Sequence, residues 1–320
     1  MRKIKIVECS PRHGAFLFKK SKFSVSEKIS YINKLSQTGL HKIDCTAFTH
    51  PRLFPQHADA EKIISGIKKN PEVIYIGLVP NEVGFRRAAL TDIDEITLLV
   101  SASDEYNRFA LGSTIKETVN KIFPAILEGA KKSSKSIKGS ILTSFGCPFS
   151  GQVPSTKVVE LAAELAFMGV TEIALVDSTG LANPKKIESL VKDIMNQKLD
   201  VSLTVHFYNT RGSAIANALA AYEAGINTFS TAIGGLGSDL FNQLNLGIGY
   251  GNIPTEDLVN LFEEMDISTG VDIHKLIPCI EMAERMIGGP LPGHILRAGP
   301  GSKKISLPKA SISLNNSTLY

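Results

Sequence analysis

The stretch KGSILTSFGCPFSGQVPSTKVVELAAELAFMGVTEIALVD, residues 138–177, decides the fold. Its ends, KGSILTS (138–144) and EIALVD (172–177), are short β-branched runs. Between them Val158, Leu161, Ala162, Leu165 and Ala166 recur every three or four positions, on one face of a helix expected over 156–168. Two strands joined through a helix lie parallel, because a parallel pair needs a long crossover. The same unit repeats in both directions. Strands are expected at IKIVEC (4–9), KIDCTA (42–47), VIYIGLV (73–79), EITLLVS (95–101), VSLTVHF (201–207) and INTFSTA (226–232), with helices near 26–38, 59–69, 82–89, 113–133, 185–196, 211–224 and 255–265. Eight alternations over about 260 residues predict an α/β fold of the closed (β/α)8 TIM barrel type rather than an open doubly wound sheet, which has fewer strands. The barrel is expected to fill 1–301 with a C-terminal extension, and the Ser/Lys-rich 302–320 reads as a flexible tail.

Composition narrows the function. With 43% hydrophobic and 21% charged residues, the 320-residue chain is neither disordered nor collagen-like. A net charge of +4 spread along the chain makes no basic arm, so the expected partner is a small molecule and not nucleic acid. Charges, glycines and prolines break every apolar run short of the ~18 residues that cross a bilayer, so no membrane association is expected. Cys9, Cys45, Cys147 and Cys279 form no C-x-x-C pair, and the chain begins MRKIKIVE without an apolar leader. A cytoplasmic location is expected.

In such barrels the active site stands at the C-terminal ends of the strands. There the sequence places Arg12 and His13 after strand 1, Asp44 and Thr46 on strand 2, Ser101 and Ser103 after strand 4 and Ser144 after strand 5. Asp177 ends strand 6, and His206 and Tyr208 end strand 7. A structural mouth has no need of an arginine, two aspartates and two histidines arriving from separate strands. After strand 8 runs the Gly-rich GGLGSDLFNQLNLGIGYGN (234–252), too long for an ordinary connection and expected to be a functional lid. Arg86, Arg87, Lys131, Lys132, Lys135 and Lys138 read as solvated faces, with phosphate binding as the alternative.

These residues resemble the hydroxymethylglutaryl-CoA lyase branch of the metal-dependent barrel lyases and Claisen-type synthases. The likeness is carried by VECSPRHG (7–14), DCTAFTHPRLFPQHAD (44–59), LVPNEVGF (78–85), FGCPFSGQV (145–153), LVDSTGLANP (175–184), VHFYNTRGSAIAN (205–217), GGLGS (234–238) and GNIPTEDLV (251–259), all in order. The resemblance implies a carbon–carbon lyase that cleaves a 3-hydroxy-acyl-CoA or related hydroxy acid by a retro-aldol step, as a homodimer with a divalent metal at the mouth. It also implies roles for Arg12, Asp44, Asp177, His206 and Asn252, which match the family's motif. A retooled aldol or Claisen condensing enzyme and a non-catalytic ligand-binding pseudoenzyme are the alternatives.

Three positions depart from that motif. Where the family has a metal-binding Asp this chain has His13; where it has a second strand-7 His it has Tyr208; where it has a mobile loop Cys it has Asp239. The lid is longer than the family's, and Phe149 replaces a usual Tyr. A re-formed metal site of His13, His206 and Asn252 lacks a carboxylate and suits Zn or Fe better than Mg or Mn; the alternative is a metal-free mouth in which His13 and Tyr208 only hydrogen-bond. Arg12, Asp44, Asp177 and Asp239 are the catalytic candidates. Arg12, Ser101, Ser144 and Tyr208 are the candidates for substrate binding.

Overall fold

The computed structural model of the chain describes residues 3–15, 17, 24–247 and 249–301; the tail expected at 302–320 lies outside them. Eight parallel strands close into a barrel: β1 (Lys5–Glu8), β2 (Lys42–Ala47), β3 (Ile74–Leu78), β4 (Glu95–Ser101), β5 (Ser136–Leu142), β6 (Glu172–Asp177), β7 (Ser202–Phe207) and β8 (Thr228–Thr231). β1 pairs with β8 from Lys5 opposite Thr228 to Glu8 opposite Thr231, which shuts the ring. The expected TIM barrel is the observed fold.

Alternation along each strand sorts its side chains into two sets. Ile96, Leu98, Ile141, Ile173, Leu175, Val205 and Phe207 point outward and merge with the helices into the main core. The inward set is smaller and layered. At the N-terminal end of the barrel it is charged: Lys42 Nζ reaches Glu95 Oε2 (2.6 Å) and Glu172 Oε2 (2.7 Å), and Lys138 Nζ reaches Glu172 Oε1 (3.1 Å). Lys138 therefore belongs to the barrel interior and not to a solvated or phosphate-binding face. Toward the mouth the inward set turns apolar on one side, where Leu99, Leu142, Ala174, Val176 and Tyr208 pack together.

The helices depart from expectation where backbone chemistry intervenes. The single helix expected at 113–133 is three pieces: Ile115–Glu117, a π-helical turn Thr118–Ile122, and Phe123–Lys132. Pro124 has no N–H to return to the preceding turn, and the wider turn ahead of it absorbs the missing bond. Arg12 and His13, expected just after strand 1, sit on a one-turn helix, Ser10–His13, with Pro11 in its first turn. Beyond the eighth barrel helix (Thr255–Glu264), the helices Ile273–Ile287 and Ile295–Ala298 make up the C-terminal extension.

Candidate active site

The short helix after β1 delivers Arg12 to Asp44 at the end of β2, where the guanidinium Nε donates to Oδ2 at 2.6 Å. Burial lifts Asp44 above the usual carboxylate range while the guanidinium pulls the other way. The same carboxylate outweighs burial at Arg12 and keeps it charged. Asp44 Oδ1 is buried with no hydrogen-bond partner among the described residues, which leaves one oxygen of the pair for a ligand.

Beside this pair three rings stack. His13 and His206 have centroids 5.2 Å apart, His206 and Tyr208 4.8 Å, and the His13 and Tyr208 rings, 6.3 Å apart, are nearly parallel. Asn252 arrives from the far end of the lid, paired by a β-bridge to Tyr208. Its Nδ2 donates to the carbonyls of Leu236 (2.8 Å) and Gly237 (3.1 Å), so its Oδ1 faces His206 Nε2 at 2.6 Å. His13 Nδ1 lies 3.2 Å from Asn252 Nδ2 and 3.5 Å from Tyr208 Oη. Burial holds His206 down to about 3, against the Asn252 bond, and drives His13 well below its ordinary value, with Arg12 adding to both. Both imidazoles are therefore neutral at physiological pH.

This arrangement bears on a metal. Two neutral imidazole nitrogens and an amide oxygen fixed by two backbone carbonyls converge, which is a donor set that an imidazole-preferring divalent ion accepts. Among the described residues no three His, Cys, Asp or Glu side chains are grouped to hold an ion, so the hard carboxylate cage that suits Mg is not present.

The lid is folded down. Gly237, at φ +81°, lies against His13, where a Cβ would stand 2.5 Å from that residue's own Cβ; glycine is needed for the close approach as well as for the dihedral. Asp239 caps the short helix Leu240–Asn245 by accepting from Phe241 N at 3.0 Å, and Tyr106 Oη donates to the same Oδ1. Burial raises Asp239 to about 7, against the Phe241 N–H and the charge of Arg12. Phe241 packs edge-on against Phe149 (5.3 Å) and Phe109 (6.1 Å), and Asn242 Nδ2 donates to the Ser178 carbonyl at 3.1 Å.

Other expected residues stand differently. Asp177 Oδ1 accepts from Leu181 N at 2.7 Å and shapes the turn after β6; Oδ2 is buried without a partner among the described residues, and burial lifts the group to about 6. Ser101 shares a hydrogen bond with Thr143 (2.7 Å), and Ser144 donates back to the Ile141 carbonyl (2.7 Å). Neither serine joins the cluster around Arg12. Two further histidines lie in the segment after β2, where His57 is buried and His50 is exposed. Tyr106, Phe241 and Asn242 also stand at the lid and carry no individual signal in the sequence. A tyrosine one turn into the helix after β4 carries no spacing signal, whereas the inward period-2 set at the ends of β4 to β6 was there to be counted.

A parallel eightfold barrel with an arginine–carboxylate pair, two neutral histidines and a folded lid at its C-terminal face defines the class: a barrel enzyme built for small-molecule chemistry. The comparisons give the family. The HMGL-like family model matches residues 3–282, and the chain belongs to that family. It is 33% identical over 296 residues to hydroxymethylglutaryl-CoA lyase YngG of Bacillus subtilis strain 168, covering 92% of this chain and 97% of that one. It is 34% identical to the cytoplasmic 3-hydroxy-3-methylglutaryl-CoA lyase of Rattus norvegicus over 86% of this chain and 78% of that one. An HMG-CoA lyase of Acinetobacter baumannii, solved in complex with coenzyme A and 3-methylmalate, superposes with a TM-score of 0.88 at 34% identity, covering 96% and 98% of the two chains. The B. subtilis lyase structure gives 0.87 at 33%, covering 93% and 98%. The protein is a carbon–carbon lyase resembling HMG-CoA lyase. None of its described helices is long and apolar enough to cross a membrane.

Proposed function

We propose that the chain cleaves a 3-hydroxy-acyl-CoA thioester, or a related hydroxy acid, by a retro-aldol step, with Arg12 as the residue that binds the thioester or carboxylate oxygen. The observation that carries this is the Arg12–Asp44 pair at the barrel mouth, whose Oδ1 is buried and unpartnered. Asp44 Oδ1 takes the proton of the 3-hydroxyl. The bond between C2 and C3 breaks, leaving a carbonyl at C3 and an enolate at C2. Arg12 steadies the enolate oxygen with a charge-assisted hydrogen bond that strengthens as charge develops. Asp239 on the lid, held near neutrality by burial, returns a proton to the enolate carbon. Asp177 holds the turn beside the site, and Tyr208 lines it.

His13, His206 and Asn252 are the residues that would hold a divalent ion, Zn or Fe in preference to Mg or Mn. Such an ion supplies Lewis acidity toward the substrate's oxygens when bound. The same reading gives a homodimer in the cytoplasm that binds acyl-CoA. A panel of 3-hydroxy-acyl-CoA thioesters, offered with Zn, Fe(II), Mn or Mg and read by mass spectrometry, tests it. A carbonyl product together with a shortened acyl-CoA is expected. No product from any thioester would overturn the reading in favour of a ligand-binding barrel.

A further inference from the structure

The helix Asp104–Leu111 that follows β4 is pinned at its start. Ser103 caps it, its Oγ accepting from Tyr106 N at 3.3 Å. Asn107 accepts from Ser101 N on its Oδ1 (2.8 Å) and donates from Nδ2 to the Ser113 carbonyl (2.7 Å) and to Thr118 Oγ1 (2.8 Å). Tyr106, between these two anchors, is a fixed point of the barrel wall. Its fully buried ring packs against Phe109 (5.7 Å) and Phe149 (5.9 Å), and its hydroxyl leaves that cluster to meet Asp239 Oδ1 on the lid. The same oxygen accepts from Phe241 N at 3.0 Å. A phenylalanine would fill the space as well; the hydroxyl is what a tyrosine adds there, and a buried one needs its partner.

We propose that Tyr106 is a positioning residue for Asp239: its hydroxyl holds the carboxyl in the closed lid and, together with the Phe241 N–H, occupies Oδ1, so that Oδ2 carries the acid's proton. This rests on the reading of Asp239 as proton donor and adds the residue that orients it. In a neutral carboxylic acid the oxygen that accepts two hydrogen bonds is the carbonyl oxygen, which leaves the other as the O–H. A hydrogen bond donated to a carboxyl also favours its charged form. Tyr106 therefore works with the Phe241 N–H and the charge of Arg12 against the burial that raises Asp239, and keeps the acid able to release its proton.

Tyr106→Phe keeps the ring and removes only the hydroxyl. In the full-length protein, hydrogen exchange of the lid segment 238–246 should rise about fivefold in Tyr106→Phe, the loss of one net hydrogen bond, and Asp239→Ala should raise it too. The double variant should exchange no faster than Asp239→Ala alone, because the two groups share one bond. With 3-hydroxy-3-methylglutaryl-CoA and Zn as the probe, kcat in Tyr106→Phe should fall about tenfold or more while KM stays within about twofold. The alkaline limb of kcat, set by Asp239, should move up by about one unit, since the donor that favoured the carboxylate is gone. Phe109→Leu, which thins the ring cluster and leaves the phenol, should loosen the lid without moving that limb. A limb that stays in place in Tyr106→Phe, or falls as it would if the lid merely opened and let water reach Asp239, overturns the proposal. Lid exchange equal to wild type, or additive in the double variant, overturns it as well. Non-additive exchange in a protein that leaves the probe uncleaved upholds the placement of Asp239 by Tyr106 and removes only the lyase reading.

Discussion

At the scale of single residues, Arg12 and His206 carry separable duties. Removing a hydrogen bond made chiefly in the transition state costs about 10² to 10³ in rate, so Arg12→Gln should lose that much kcat while melting within a few degrees of wild type. Turnover near the wild-type rate in a folded Arg12→Gln protein would remove Arg12 from the chemistry. His206 stands at the centre of the ring stack, its Nε2 2.6 Å from Asn252 Oδ1. Any ion the site takes depends on it, and mass-spectrometric metal analysis of His206→Ala should show stoichiometric metal lost. Equal metal in both proteins would place the ion elsewhere. Asn252, at the far end of the lid, was legible only through the family motif, whereas Arg12, Asp44 and His206 were legible because they lie on or just after countable strands. Ser101 and Ser144 were misleading for the same reason, since a hydroxyl near the mouth also serves to close a turn, as the bonds to Thr143 and Ile141 show.

Among the elements, the lid carries a buried carboxyl, Asp239, whose titration is expected to act on closure. Asp239 rises from 3.8 to about 7 in the closed lid, with burial the first cause. A group with a raised folded pKa adds stability that is complete below its unfolded value and lost as pH climbs through the folded one. Closure should therefore weaken between about pH 4 and pH 7 and be weakest above that. The chain has no tryptophan, so Phe241→Trp installs a lone indole on the lid. Its emission should be blue at about pH 5 and shift red above about pH 8, and the added change Asp239→Asn should leave it flat. A red shift on acidification would contradict the assignment. The lid's existence was legible from its glycines and length, but its fold was not. The helix Leu240–Asn245 and the Tyr106 bond form only against neighbours far off in sequence, and no local periodicity announces so short a helix capped by Asp239.

For the whole molecule, the barrel separates stability from chemistry along its axis. The charged layer of Lys42, Glu95, Lys138 and Glu172 lies at the end away from the mouth. Burial opposes the charge of Glu172, but Lys138 and Lys42 outweigh it and hold its carboxyl well below the usual range. Breaking a buried pair by removing one partner costs about 3 to 5 kcal/mol, so Lys42→Met should lower the unfolding free energy by that amount in chemical denaturation. Loss of less than about 1 kcal/mol would show that water already screens the layer. The architecture itself was legible because eight strand–helix units have a spacing open to count; the inward lysines were not, since Lys138 in isolation reads like any surface lysine.

This member of the HMGL-like family keeps the carbon–carbon lyase framework, and we propose that His13, Tyr208 and Asp239 change what its mouth holds. Acetoacetate release from 3-hydroxy-3-methylglutaryl-CoA with Mg, compared between the wild type and the triple variant His13→Asp, Tyr208→His, Asp239→Cys, tests it most directly. A neutral imidazole and a phenol hold a hard cation poorly, so the wild type should be slow. Restoring all three together should raise cleavage measurably, and each single change should do little because the groups act as a unit. Strong wild-type cleavage with Mg, or a folded and metal-loaded triple variant with no gain, would show that these three positions do not set the metal chemistry of the mouth.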